Sequence, residues 1–73
     1  MEERRAEEGK TAVIDLEELG RAIVSYDDVT DTLYIVLSDE EGEESLLLPN
    51  DIAVRISRGR VVSITVRGVR YRS

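Results

Sequence analysis

Residues 21–38 read RAIVSYDDVTDTLYIVLS, and their periodicity decides the fold. Ala22, Val24 and Tyr26 alternate with Ile23 and Ser25, the period of two that marks a strand, in residue types that strands favour. After the polar cluster at 27–31 the alternation resumes over 32–38. There Leu33, Ile35 and Leu37 point to one face and Tyr34 and Val36 to the other. The short side chains of Asp27, Asp28, Thr30 and Asp31 can bond back to nearby backbone amides, so the cluster predicts a turn that folds the two runs into a hairpin. With apolar residues on both faces, the second strand is expected inside the sheet.

Working downstream, residues 39–44 (DEEGEE) hold five like charges around a glycine and should form a solvated loop. A short third strand over 45–48 is stopped by Pro49, which has no amide to donate to a neighbour. In the fourth strand, over 52–57, Ile52, Val54 and Ile56 point inward. Arg58 and Gly59 make a tight connection, with the glycine supplying the positive φ that a hairpin turn needs. The fifth strand, over 60–67, keeps Val62, Ile64 and Val66 in phase. Val69 and Tyr71 fall out of phase by one, which predicts a bulge at Gly68 and places Arg70 and Arg72 on one outward face with Arg67 and Arg55.

Upstream, residues 1–10 (MEERRAEEGK) have no apolar face and are expected to be a flexible charged tail. Residues 11–19 suit either an extra strand or a short helix. The three-residue spacing of Val13, Leu16 and Leu19 favours a brief helix, capped by Asp15, ended by Gly20 and packed over one sheet face. The fold class expected is therefore mainly β: one antiparallel β-meander of about five short strands over 11–73, with a short N-terminal helix or extra strand.

The composition removes much of enzymology. With no cysteine and no histidine there is no disulfide, thiolate nucleophile, imidazole base or ordinary zinc site. No glycine-rich phosphate cradle precedes a helix, and the serines have no histidine to activate them. Asp27, Asp28 and Asp31 lack the alternating ligands and distant glutamate of a calcium loop. Neither enzyme activity nor a cofactor is expected. No apolar run approaches the length of a membrane span and no signal pattern opens the chain, so a cytoplasmic protein is expected. One Met, one Asn, no Gln and 36% charged residues fit a thermophilic composition. A core this small and a sheet with unpaired edges favour a symmetric homodimer.

The charges divide along the chain. All 16 acids lie at or before Asp51, against four bases there, for a balance of -12; six arginines and no acid follow, for +6. The acidic stretch suggests a non-enzymatic interaction module that engages a basic protein. The alternative is nucleic-acid contact through Arg55, Arg67, Arg70 and Arg72. Against it stand an acidic pI near 4.5 and the prospect that cross-strand acids neutralise the arginines.

The pattern Y-D-x-x-x-D-x-L-Y-I-x-L, carried here by Tyr26, Asp27, Asp31, Leu33, Tyr34, Ile35 and Leu37, resembles the opening of the family catalogued as domain of unknown function 2283. The likeness continues more loosely through Asn50, Asp51 and Ile52 to the hairpin at 58–62. It implies a small β-meander without an assigned catalytic residue, and an antitoxin-like role beside a small toxin-like protein. The second half departs from that pattern. The family's last hairpin is usually acidic and its last strand carries G-I-E-I, whereas here the hairpin reads SRGR and the strand Ser63-Ile64-Thr65-Val66.

Overall fold

The computed structural model describes residues 11–71; the expected tail over 1–10 and Arg72 lie outside the described residues. A short helix α1 (Leu16–Gly20) precedes five strands, β1 (Ile23–Asp27), β2 (Thr32–Val36), β3 (Glu44–Leu47), β4 (Ile52–Ser57) and β5 (Arg60–Arg67), and a 3₁₀ turn follows at Val69–Tyr71. All five strands form one antiparallel sheet in the order β1-β2-β5-β4-β3. The mainly-β class read from the alternation is the one observed. The strand order is not sequential, however: β2 pairs with β5 rather than β3, which puts the last strand in the middle.

Local chemistry fixes each connection. In the β1–β2 turn the Asp27 carboxylate accepts from the amides of Val29 at 3.0 Å and Thr30 at 3.4 Å, and Asp31 takes a left-handed φ of 57°. The β4–β5 turn has positive φ at both central residues, 55° at Arg58 and 78° at Gly59, the mirror-image turn whose twist matches a hairpin. Arginine therefore shares a conformation that the sequence assigned to glycine alone. Between β2 and β3 the chain leaves β5, with Leu37 and Ser38 amides donating to the Val62 carbonyl at 2.9 and 3.2 Å. It reaches β4 where the Glu43 amide donates to the Ile56 carbonyl at 2.9 Å.

The N-terminal segment holds both alternatives that the sequence left open. Val13 makes a parallel bridge to Arg60, its amide donating to Gly59 at 2.9 Å and its carbonyl accepting from Val61 at 2.8 Å. Asp15 then caps α1, accepting from the Glu17 and Glu18 amides. The expected apolar stripe does not pack: Val13, Leu16 and Leu19 are all exposed, Leu16 at 76%. A five-residue helix is too short to lay a continuous stripe on the sheet, and backbone bonds to β5 hold the segment instead.

A second correction concerns Gly68. No bulge forms there. Its φ of 71° ends β5, and the amides of Gly68 and Val69 donate to the Asp31 carbonyl at 3.0 and 3.3 Å, drawing the chain into the 3₁₀ turn. The register shift occurs earlier, between Arg55 and Ile56, where β4 advances one residue while β5 advances two, from Ser63 to Val61. Val62 is the extra residue on β5, and both it and Val61 are buried.

The core gathers around that shift: among the described residues Leu37, Leu46, Ile56, Val61 and Val62 are the buried apolar side chains, and only Val62, at 1%, is fully enclosed. Beyond it the sheet has two unlike faces. Paired residues share a face, so Val24, Ile35, Ile64, Val54 and Leu46 form one row across all five strands. Tyr26, Leu33, Val66 and Ile52 form a second row beside it. Neither row carries a charge. The opposite face is mixed, with Ile23, Val36, Ser63, Arg55 and Ser45 in register.

Candidate functional site

Three features rise above scaffold, and each joins parts of the chain far apart in sequence. The first is a cleft of about 330 Å³ lined by Val36, Ser38, Asp39, Glu40, Glu41, Arg55, Val62 and Ser63. The β2–β3 connection forms its rim by riding close over the mixed face. A Cβ on Gly42 would come within 3.0 Å of the Arg55 Cβ and 3.1 Å of its Nε, tighter than side chains ordinarily pack, so the close approach favours glycine. Asp39, Glu40, Glu41 and Glu43 are all exposed on this loop. Among the described residues Arg55 makes no ion pair, and neither do Asp39 and Glu41.

Arg60 organises the second feature. Its guanidinium pairs with Glu40 at 2.5 Å and with Glu18 at 3.7 Å, tying the β4–β5 hairpin to the acidic loop and to α1. Arg60 Nε and Glu18 Oε1 are buried without a hydrogen bond to a described residue. At 3.7 Å their ion pair offsets only part of that desolvation, since a pair without hydrogen bonds repays the loss of water poorly. The sequence reading passed over Arg60 because its significance lies in two acids 20 and 42 positions away.

The third feature is the cluster of Tyr26, Asp31 and Arg70. The Tyr26 hydroxyl donates to Asp31 Oδ1 at 2.5 Å, and Arg70 Nε donates to the same hydroxyl at 3.3 Å. The Arg70 Nη2 donates to the Asp28 carbonyl at 2.9 Å, and its Nε lies 3.6 Å from the Asp31 carboxylate. The Tyr26 hydrogen bond, with the Arg70 amide and charge in support, holds the Asp31 carboxyl below the ordinary carboxylate range. Bonding to that carboxylate raises the Tyr26 hydroxyl in turn, and the bond to Tyr26 raises the Arg70 guanidinium.

The four arginines singled out in the sequence do not form one face. Arg55 and Arg67 share the mixed face but stand at different rows, Arg55 opposite Ser63 and Arg67 opposite Thr32. Arg67 pairs with Asp51 at 3.5 Å. Arg70 lies on the 3₁₀ turn and reaches back to the β1–β2 turn, because the strand stops at Gly68. Arg72 lies outside the described residues. The neutralising acids come from loops and turns rather than from cross-strand neighbours. Asp51 pairs with Arg67, Asp31 with Arg70, and Glu40 with Arg60.

A family model described as protein of unknown function (DUF2283) matches residues 23–70, which span all five strands and reach Arg70. The chain belongs to the DUF2283 family. Within that match lie both the Tyr26–Asp31–Arg70 cluster and the Arg60 side of the second feature, so the DUF2283 region holds the sheet and most of the candidate site. No curated protein and no solved structure matches the chain. Among the described residues no helix is long and apolar enough to cross a membrane.

The feature that residue-by-residue reading missed is the half-exposed apolar face. Each strand's alternation signalled it, since Val24 and Tyr26, Leu33 and Ile35, Ile52 and Val54, and Ile64 and Val66 all alternate in phase. Nothing in a single strand says whether a second layer covers it.

Proposed function

We propose that this DUF2283 protein is a small non-enzymatic interaction module of the cytoplasm, working as a homodimer, that offers its acidic loops to a basic, toxin-like protein. The observation that carries the reading is the rim of the cleft: Asp39 and Glu41 are exposed and make no ion pair with a described residue, although arginines lie nearby. Asp28, exposed in the β1–β2 turn, adds a further carboxylate at the opposite end of β2. Exposed carboxylates of one sign steer a basic partner and set its orientation. The high share of charged residues and few thermolabile ones support a thermophilic setting for the module.

Nucleic-acid contact through the arginines has less support. Arg67 and Arg70 are each engaged by carboxylates, which leaves Arg55, beside the carboxylates of the cleft rim, as the one described arginine of that reading without an ion pair to displace counterions. Purification from the native cell at low salt tests the two readings together. A basic protein that elutes with salt and rebinds the pure chain is expected; recovery of none at any ionic strength contradicts the reading. Retardation of nucleic acid in a gel at about 50 mM salt would instead favour the alternative.

A further inference from the structure

The apolar sheet face carries more than the loops do. Ile35, Ile64 and Val54 sit on interior strands with paired neighbours on both sides, yet all three remain only half-buried. On the edge strand β1, Val24 is 60% and Tyr26 45% exposed. Antiparallel sheets place one face on a core and one in water, yet here both faces reach water, with Tyr34 and Val36 of the mixed face each 39% exposed, and it is the two apolar rows that carry no charge. We infer that a second copy of this chain covers it, face to face, so that two sheets close into a two-layer sandwich. The inference rests on the homodimer part of the proposed function and names its interface.

Area, charge and stability all favour a second copy. Five strands about 4.8 Å apart, each about five residues long, give a face on the order of 400 Å² in flat projection. Two such faces, with side-chain relief, reach roughly the 1,000 Å² that a specific interface needs. An apolar patch of that size is about the largest that a monomer ordinarily leaves in water, and such patches are often functional. The chain carries a net charge of -6, so two copies repel across most surfaces. The two apolar rows bring no charge to the contact and are the surface on which identical copies meet without that cost. Flat β faces of one handed twist also stack on themselves at about 10 Å, with strands within about 30° of alignment. Finally, only five apolar side chains are buried among the described residues, a small core, and closing the sandwich buries the half-exposed residues of the two rows.

Sedimentation velocity from about 1 to 100 µM tests the interface in the wild type, Ile64→Lys and Thr65→Lys. The last two differ by one position and so point to opposite faces. A dimer is expected for the wild type and Thr65→Lys, with Ile64→Lys weakening dimerisation at least about a hundredfold because it buries an unpaired charge. Since Ile64→Lys could instead unfold, isotope-filtered NMR on a mixture of labelled and unlabelled wild type gives an independent reading. Intermolecular contacts are expected at the methyls of Leu33, Ile35, Ile64 and Val66. Contacts confined to the edge residues Ile23 and Leu47 would overturn the face-to-face arrangement while leaving the homodimer standing. A wild-type monomer throughout the range overturns both.

Discussion

The backbone amide of Arg70 donates to both oxygens of the Asp31 carboxylate, at 3.0 and 3.3 Å, across 39 positions of chain. One left-handed turn residue thereby fastens the last described segment to the first hairpin, and its carboxylate also receives the Tyr26 hydroxyl. Because Asp31 titrates below the ordinary carboxylate range when folded, it binds its proton less tightly than in the unfolded chain. Its contribution is present above the unfolded carboxylate pKa and is lost as pH falls through the lowered folded value. Tyr26 acts in the opposite sense: its raised pKa gives stability below the ordinary tyrosine value, lost as pH rises through the folded one. In an NMR titration the Arg70 amide should shift with a midpoint below that of an ordinary carboxylate, and Asp31→Asn should abolish the acid step and lower Tm by a few degrees. A midpoint at or above the ordinary value contradicts the assignment.

Arg58 holds a φ of 55° next to Gly59 at 78°. A left-handed conformation costs a branched or long side chain roughly 1–2 kcal/mol, and asparagine tolerates it better. Arg58→Asn should therefore raise stability by about 0.5–1 kcal/mol. The check is a higher urea midpoint at unchanged slope. A lower midpoint would mean that the arginine side chain contributes more than its backbone strain costs.

Leu46 is buried although β3 is an edge strand, for it sits in the row with Val54 beside the small core. Truncation to alanine removes transfer free energy and leaves a cavity, so Leu46→Ala should cost about 2–5 kcal/mol. Leu47, one position along and exposed on the other face, serves as the comparison. Thermal unfolding that ranks Leu47→Ala as the more damaging change would contradict the face assignment.

Strand positions were legible because alternation is a local signal: β4 and β5 fall at the residues the pattern predicts, and the turn at 27–31 declares itself by short acids. What the sequence hid is long-range. The exchange of neighbours that seats β5 between β2 and β4 depends on the β2–β3 connection crossing two strands, and a loop of carboxylates gives no hint of its path. The phase break after Gly68 looked like a bulge because a left-handed glycine shifts phase equally when it ends a strand. Only the acceptor, the Asp31 carbonyl 37 positions earlier, distinguishes the two, and it also takes Arg70 away from the face where alternation had put it. Arg60 escaped notice for the same reason.

The claim that the acidic loops are the working surface is tested most directly by titration calorimetry with an arginine-rich peptide, comparing the wild type with the combined Asp28→Asn, Asp39→Asn and Glu41→Gln variant. These three acids make no ion pair with a described residue, so their replacement leaves the Arg60 and Arg70 contacts in place. The wild type should bind at about 50 mM salt and weaken steeply toward about 200 mM, as a screened charge interaction does, and the variant should bind at least about tenfold more weakly. Equal binding by the two proteins, or no heat from the wild type at low salt, would contradict the account.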